Sequence, residues 1–236
     1  MKILSIDSSA LVASVALCED ERLLAEYTLN NGNTHSETLL PMVESVLKGF
    51  DISPADIDLF AVSAGPGSFT GVRIGAATVK GLAFASGKSC VEVSTLEAIA
   101  YNLRMHKGLI CPVMNARRAQ VYTALFRSDG RTLTRLMPDS AIAIAELDSL
   151  LAAYGEEVCL CGDGYDITEK GFSATPLRYV PDRLRLQSAA SVAGVALEKY
   201  RMGEICSDAE LGVNYLRPSQ AERERAQRLE AEQNTK

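Results

Sequence analysis

Histidine, cysteine and tryptophan are scarce in this sequence. It has two histidines, His35 and His106, six cysteines and no tryptophan among 236 residues. A metal site built on a histidine pair would have to bring together two residues that lie far apart in the chain. Six cysteines are too few for a disulfide scaffold of this length, and Cys159 and Cys161 have no second pair that would complete a zinc set. We therefore predict no metal site and reduced thiols in the core.

Positive charge and long apolar runs are also in short supply. Lys and Arg number 24 against 30 Asp and Glu, which gives a net charge of −6. Because nucleic-acid affinity depends on cationic side chains that neutralise phosphates, the chain alone is expected to bind RNA and DNA poorly. No stretch approaches the roughly 18 apolar residues of a membrane span, and Asp7 stands where a signal peptide needs apolar residues. We expect a cytoplasmic protein without a membrane segment, and the apolar fraction of 47% is ordinary for one with a sizeable core.

The order of the apolar runs indicates an α/β fold. Three strand-like runs within residues 2–29 are joined by short turns, which predicts an antiparallel meander. A capping box at Thr34 and Glu37 opens a helix that ends near Gly49, and strands then alternate with helices up to about residue 104. Since a helical crossover between strands implies parallel pairing, we predict a mixed sheet covered by helices. The expected first domain is 1–105, a less regular second domain is 106–217, and a charged tail is 218–236.

Residues 63–75, SAGPGSFTGVRIG, form the most informative segment. A glycine-rich turn between a strand and a helix can hold phosphate, because backbone N–H groups and the positive end of the helix converge there. The same glycines would also permit a tight turn and close helix packing, and both interpretations are open. No Lys-Ser or Lys-Thr pair follows the glycines, so the segment is not a Walker loop.

The helix that follows, over residues 70–85, is apolar on two sides. One side is formed by Val72, Gly75 and Val79. The far side carries Ile74, Ala77, Gly81 and Phe84. A surface helix normally has one apolar stripe and one polar face. We therefore expect its own sheet to cover one side and the second domain or another chain to cover the other.

No complete catalytic constellation can be assembled from the sequence. Asp7-Ser8-Ser9 resembles the first phosphate loop of actin-like ATPases, but it lacks the glycine that lets such a loop wrap a γ-phosphate. For Asp7, a satisfied turn carboxylate and a phosphate-site ligand are both open. His35 and Glu37 could be drawn as an acid–base pair, yet Glu37 already serves the helix start. Position 39 is Leu, so no His-x-x-x-His metal motif exists. The candidate nucleotide or phosphate contacts are Asp7, Ser8, Ser9, Gly65, Gly67 and Ser68.

Several motifs together resemble those of the TsaB family, also called YeaZ. The glycine segment 63–75, with KGLA at 80–83, carries most of the resemblance. The DSS at 7–9, HSE at 35–37, ARR at 116–118, and YLR at 215–217 with SQAERE at 219–224 add to it. The matches run from residue 3 to residue 224 and so span nearly the whole chain. The chain departs from the family at Asn115, where the family usually has Asp before Ala-Arg.

This resemblance implies a two-domain actin-like or ribonuclease-H-like fold, with a degenerate second domain of the same class. It also implies a function in making N6-threonylcarbamoyladenosine in tRNA. In that family TsaD is the catalytic partner and carries the metal site, the ATPase TsaE joins the pair, and tRNA is met only through the complex. TsaB itself is regarded as non-catalytic and binds no cofactor alone, with ATP or ADP a candidate only at the interface of the complex.

In this family TsaB pairs with TsaD through the two helices around the glycine segment, and it can pair with itself by the same face. We therefore expect the helices over 36–48 and 70–85 to carry the interface. The expected interface residues are Leu40, Met42, Val43, Phe69, Gly71, Val72, Gly75, Ala76 and Val79.

Two enzyme readings compete with that of an accessory subunit. An actin-like small-molecule kinase or ATPase acting alone would use Asp7-Ser8-Ser9 and the glycine segment. A metalloprotease would follow from the older description of this family as glycoprotease-like, and it is the least favoured reading because the histidine pair is absent.

Overall fold

A computed structural model describes residues 1–32 and 34–217 of the chain. The charged tail predicted over 218–236 lies outside the described residues. Within them, no helix combines the length and the apolar character that a membrane crossing requires.

The first sheet has five strands in the order β3-β2-β1-β4-β5. The strands β1 to β3 form the antiparallel meander predicted from the sequence, while β4 and β5 run parallel to β1. Helices connect β3 to β4, β4 to β5, and β5 to the second half of the chain. The elements are β1 (Lys2–Asp7), β2 (Ala13–Glu19), β3 (Arg22–Leu29), α1 (His35–Lys48), β4 (Leu59–Gly65), α2 (Phe69–Ser86), β5 (Ser89–Ser94) and α3 (Thr95–Tyr101).

The second sheet repeats this arrangement. Its strand order, read from the far edge, is β8-β7-β6-β9-β10, with β6 to β8 antiparallel and β9 and β10 parallel to β6. The elements are β6 (Gly108–Asn115), β7 (Gln120–Ser128), β8 (Leu133–Ala143), α4 (Ile144–Ala152), β9 (Val158–Cys161), α5 (Tyr165–Gly171), β10 (Leu177–Arg178) and α6 (Ala189–Arg201). This strand order, meander first and parallel strands on the other side, is that of ribonuclease H. Its duplication defines the actin-like class, as predicted.

Alternation along β1 shows how the first sheet is covered on both faces. Leu4 and Ile6 point into the core under α1 and α2. Ile3 points to the opposite face, which α3 and α6 cover, and the Ser5 hydroxyl donates to the carbonyl of Ala189 on that side. Successive strand residues face opposite sides of a sheet, so one strand serves two cores.

The second domain does not extend to residue 217. Helix α6 packs against β1 and β2 of the first sheet, and the chain after it runs along β5. The N–H of Asn214 donates to the carbonyl of Ala64, at 2.7 Å. The predicted boundary of 106–217 is therefore wrong at its C-terminal end. Strands β1 and β2 are apolar on both faces, so both faces need a helix. The seven-residue α3 also packs on the second sheet, and the later helix α6 therefore covers the remaining face of β1 and β2.

The helix starts agree only in part with the predicted caps. Ser94 caps α3 by accepting from the N–H of Glu97, at 3.3 Å. The capping box predicted at Thr34 is absent: its side chain makes no cap hydrogen bond, and the N–H of Glu37 donates to the Thr34 carbonyl instead.

Candidate functional site

The Asp7 carboxylate at the end of β1 is enclosed by its own chain. Its Oδ1 accepts from the N–H and the hydroxyl of Ser9, at 2.9 and 2.6 Å, and its Oδ2 accepts from the hydroxyl of Ser63, at 2.6 Å. The side chain is fully buried. Burial raises the pKa of Asp7, while the hydroxyl and amide donors that surround it oppose this shift. Asp7 therefore ties the turn that follows β1 to strand β4.

The glycine segment packs directly on that turn. A Cβ at Gly71 would overlap the carbonyl oxygen of Ser8, and one at Gly67 would overlap the carbonyl oxygen of Ser9. The hydroxyl of Ser8 donates to the carbonyl of Gly71, at 2.9 Å, and the N–H of Ser68 donates to the carbonyl of Ser9, at 2.6 Å. These glycines are required because two backbone segments approach each other closely, which is the packing interpretation of the segment.

The predicted phosphate contacts are therefore wrong at Asp7 and Ser8, while Ser9 lines the cleft described below with its hydroxyl bonded to Asp7. All three are buried, and the hydroxyl groups of both serines donate to protein oxygens. Gly65 is held against the backbone of Asn214 in a similar way. Of the six candidates only Ser68 is exposed, and its Oγ accepts from the N–H of Gly71 as the cap of α2. The glycine segment packs on residues 8 and 9, and this packing leaves Asp7 and Ser8 buried, with no access to a phosphate.

A cleft of about 740 Å³ remains between the two sheets, at the carboxyl ends of β1, β4, β6 and β9. Ser68, Arg117, Tyr122, Asp163 and Tyr215 are among the residues that line it. Crevices at the carboxyl ends of strands are where α/β proteins most often bind ligands.

Asp163 is the ionisable group that stands out in this cleft. Its Oδ1 is buried and has no hydrogen-bond partner, while the nearby backbone N–H of Asn115 favours its charged form and lowers its pKa. Burial raises the pKa of Asp163 to about 6, and the carboxylate of Asp7 adds to the rise. Asn115, the departure from the family pattern, uses its Oδ1 to accept from the N–H of Arg117, at 2.8 Å. An aspartate could make that same bond.

The two histidines do not complete an active site. The Nε2 of His35 lies 2.6 Å from the carbonyl oxygen of Ala10, so the ring donates there and ties the start of α1 to the turn after β1. Glu37 is exposed on α1. His106 lies in the connection between α3 and β6. Within residues 1–32 and 34–217, no three His, Cys, Asp or Glu side chains are placed to hold a metal ion together.

Most of the predicted interface residues lie in the core of the first half. They are the residues on the sides of α1 and α2 that face the sheet, where they contact β1, β2 and β4. The expectation of a free surface is wrong for Met42, Val43, Gly71, Val72, Gly75, Ala76 and Val79. A helix with two apolar sides turns one of them to its own sheet, and the sequence alone did not show which one.

On helices α1 and α2, the exposed apolar surface is the far side of α2, together with Leu40 of α1. Phe84 is 76% exposed and Leu40 is 57% exposed, while Ala77 and Gly81 are exposed and Ile74 is half-buried. We call these five residues the outer face. It keeps one of the predicted interface residues, Leu40, and adds the four of the far side.

Phe69, the remaining predicted interface residue, is half-buried against the C-terminal segment, residues 211–217. Its ring stacks on Tyr215 at a centroid distance of 4.6 Å, and the Nε of Arg73 donates to the Tyr215 hydroxyl, at 2.7 Å. The guanidinium of Arg217 donates to the carbonyl of Ala116 in the turn between β6 and β7, at 3.2 Å. This segment therefore connects the start of α2 to the second sheet. The YLR motif at 215–217 was visible in the sequence, but the neighbouring residues did not indicate which part of the protein it contacts.

Fold and site together define an actin-like protein in which Asp7, Ser8 and Ser9 are buried by the glycine segment and the outer face of α1 and α2 is apolar. A family model described as "TsaD: tRNA N6-adenosine threonylcarbamoyltransferase" matches residues 22–222. A Bacillus subtilis protein named "tRNA threonylcarbamoyladenosine biosynthesis protein TsaB" is 33% identical over 219 residues, which are 86% of this chain and 96% of that protein. The Escherichia coli protein of the same name is 37% identical over 131 residues, 55% of this chain and 56% of that protein.

The solved structure "YeaZ from Pseudomonas aeruginosa" superposes with a TM-score of 0.79 at 25% identity, over 91% of this chain and 99% of that one. The chain belongs to the TsaB/YeaZ family.

Proposed function

We propose that this chain is a non-catalytic subunit in tRNA N6-threonylcarbamoyladenosine synthesis, and that it binds and supports the transferase TsaD. Its place in the TsaB/YeaZ family supports the pathway. The enclosed Asp7 carboxylate supports the non-catalytic role, since it cannot reach a metal-bound phosphate. We further propose that TsaE joins this pair, that ATP or ADP binds at the interface of the complex, and that tRNA is met through the complex in the cytoplasm.

The outer face carries the proposed docking. Phe84, Ala77 and Ile74 lie along one side of α2, and Lys80 lies between Ala77 and Phe84 at helical spacing of three and four residues. Complete burial of a phenylalanine side chain is worth about 1.5–3 kcal/mol. Contact with a partner would gain a large part of that at Phe84, which is 76% exposed in the free chain. A second copy of the chain could use the same face, so we expect a homodimer when TsaD is absent.

The substitution Phe84→Asp tests this surface. It places a charge in the proposed contact and removes the largest apolar group, so we expect TsaD to bind at least about tenfold more weakly, measured by titration calorimetry. Met105→Asp is the matched control, because Met105 is 75% exposed but lies in the connection after α3. Equal binding by wild type and Phe84→Asp, with both chains folded, would exclude the outer face as the docking surface.

The competing reading is a kinase or ATPase that acts alone, and the cleft between the sheets is the feature that favours it. The two readings are separated by reconstituting tRNA modification with and without the chain, beside an assay of its own ATP hydrolysis. We expect modification to depend on the chain and the isolated chain to hydrolyse no ATP. Mg²⁺-dependent turnover by the isolated chain would contradict the proposed role.

A further inference from the structure

Two cysteines face each other where the chain returns to the first sheet. Strand β5 is an edge strand, and Cys90 in it forms an antiparallel bridge with Cys206. The N–H of each residue donates to the carbonyl of the other, at 2.8 and 2.9 Å. Directly opposed residues of such a pair have Cα atoms about 5.5 Å apart and side chains on the same face. Disulfides span Cα distances of about 4.4–6.8 Å, so the Cα spacing fits a disulfide. The Cβ atoms of a hydrogen-bonded pair lie about 5.5 Å apart, so they must approach by about 1 Å for the bond to form.

The two thiols differ in access. Cys90 is fully buried against the core under α2, whereas Cys206 is half-buried at the border of the same core. The Sγ of Cys206 lies 3.6 Å from the carbonyl oxygen of Cys90. The other four cysteines are all buried, so Cys206 is the thiol that a solute reaches first. Cys206 is therefore placed to react first with a dissolved disulfide, and Cys90 is its neighbour in the pair.

We propose that Cys90 and Cys206 form an intrachain disulfide when they react with a low-molecular-weight disulfide such as glutathione disulfide. The Cys206 thiolate attacks one sulfur of glutathione disulfide, which forms a mixed disulfide and releases one glutathione thiolate. The Cys90 thiolate then attacks the Sγ of Cys206 and expels the second glutathione. The two cysteines lose two protons and two electrons, and glutathione disulfide gains them to become two glutathione thiols.

The surroundings make this reaction slow at neutral pH. Burial raises the pKa of Cys206 to about 11 and that of Cys90 to about 12. The ammonium of Lys80 on α2 opposes the rise at both thiols. Glu92 of β5 adds to it at both, while Asp208 adds at Cys90 and Glu210 at Cys206. Since the thiolate is the nucleophile, the rate should increase with pH.

The disulfide would fasten the segment that links the two halves. Cys206 lies nine positions before Tyr215, which stacks on Phe69, and eleven before Arg217, which holds the turn between β6 and β7. A covalent bond at Cys206 keeps this segment on β5 and constrains the unfolded chain. For a closed loop of this length, we expect the midpoint of thermal unfolding to rise by about 5–10 °C.

The test is oxidation of the full chain with excess glutathione disulfide at about pH 8, followed by alkylation and peptide mapping. We expect a Cys90–Cys206 cross-linked peptide, two fewer titratable thiols and a higher unfolding midpoint that a reductant reverses. Cys206→Ser and Cys90→Ser should each abolish all three changes, while Cys18→Ser should retain them. Cys206→Ser changes a half-buried side chain and so keeps the test valid if Cys90→Ser does not fold.

Three outcomes would overturn the proposal. They are a mixed disulfide that stays on Cys206, a cross-link between any other cysteines, and a folded wild-type chain that keeps six free thiols throughout.

Discussion

The buried carboxylate of Asp163 in the cleft should make this protein less stable as pH rises through the weakly acidic range. Asp163 has a pKa of about 6 in the folded chain, against 3.8 for an unperturbed aspartate. A raised pKa means that the folded state holds its proton more tightly than the unfolded state does. The free energy of unfolding therefore falls as pH rises from about 4 to about 6, and the loss is complete above about pH 7.

The size of this loss follows from the shift in pKa. Each unit corresponds to about 1.4 kcal/mol, so a shift from 3.8 to about 6 corresponds to about 3 kcal/mol. Asp163→Asn removes the titration and keeps the shape. We expect the variant to gain stability relative to wild type between about pH 4 and pH 7, by up to about 3 kcal/mol. The fully buried Asp7 also has a raised pKa, so part of the wild-type slope should persist in the variant.

Urea denaturation at several values between about pH 4 and pH 8 measures this difference. The variant-minus-wild-type curve reports Asp163 together with its coupling to Asp7, because the remaining titrating groups are common to both chains. Asp166→Asn, an exposed position three residues further on, is the control and should leave the profile unchanged. A difference curve that is flat across this range would refute the assignment of a raised pKa to Asp163.

Three further substitutions, one of them a control, test close packing and a buried hydrogen-bond acceptor. Gly71→Ala places a methyl group against the carbonyl oxygen of Ser8. We expect the free energy of unfolding, measured by thermal denaturation, to fall by about 1–3 kcal/mol. Gly81→Ala in the same helix meets no neighbouring atom and should be neutral or slightly stabilising; equal effects of the two would refute close packing. Asp148→Ala leaves the N–H groups of residues 173–175 without their acceptor, at an expected cost of about 2–4 kcal/mol, and a loss below about 1 kcal/mol would contradict this.

Local patterns sufficed for the first half of the chain. Apolar alternation and short turns predicted β1 to β3, and the helical spacing after the glycine segment predicted α2 with an error of one residue at each end. These patterns report burial within a few residues, which is the range over which strand and helix periods act. The short elements α5 and β10, with seven and two residues, were missed because they span too little chain to show a period.

The role of the Asp7 turn could not be predicted in this way. A phosphate loop and a satisfied turn carboxylate look alike over residues 7–9, and they differ only in what approaches from elsewhere. Ser63 donates to Asp7 from 56 residues away, and Gly71 accepts from Ser8 across 63 residues. The same limit applies to the docking surface, since both sides of α2 are apolar and only the position of the sheet distinguishes Val79 from Phe84.

Periodicity and motifs alone identified the α/β class, the apolar α2 helix, the missing histidine pair and the family resemblance. Folding decided three other matters: the closed phosphate loop, the outward side of α2, and the return of α6 with Cys206 to the first sheet. The physical reason is that the spacing of apolar residues along one strand or helix shows only which residues of that element are buried. Contacts between residues as distant as Cys90 and Cys206 arise only when sheet faces and edges are covered by whichever later segment fits them.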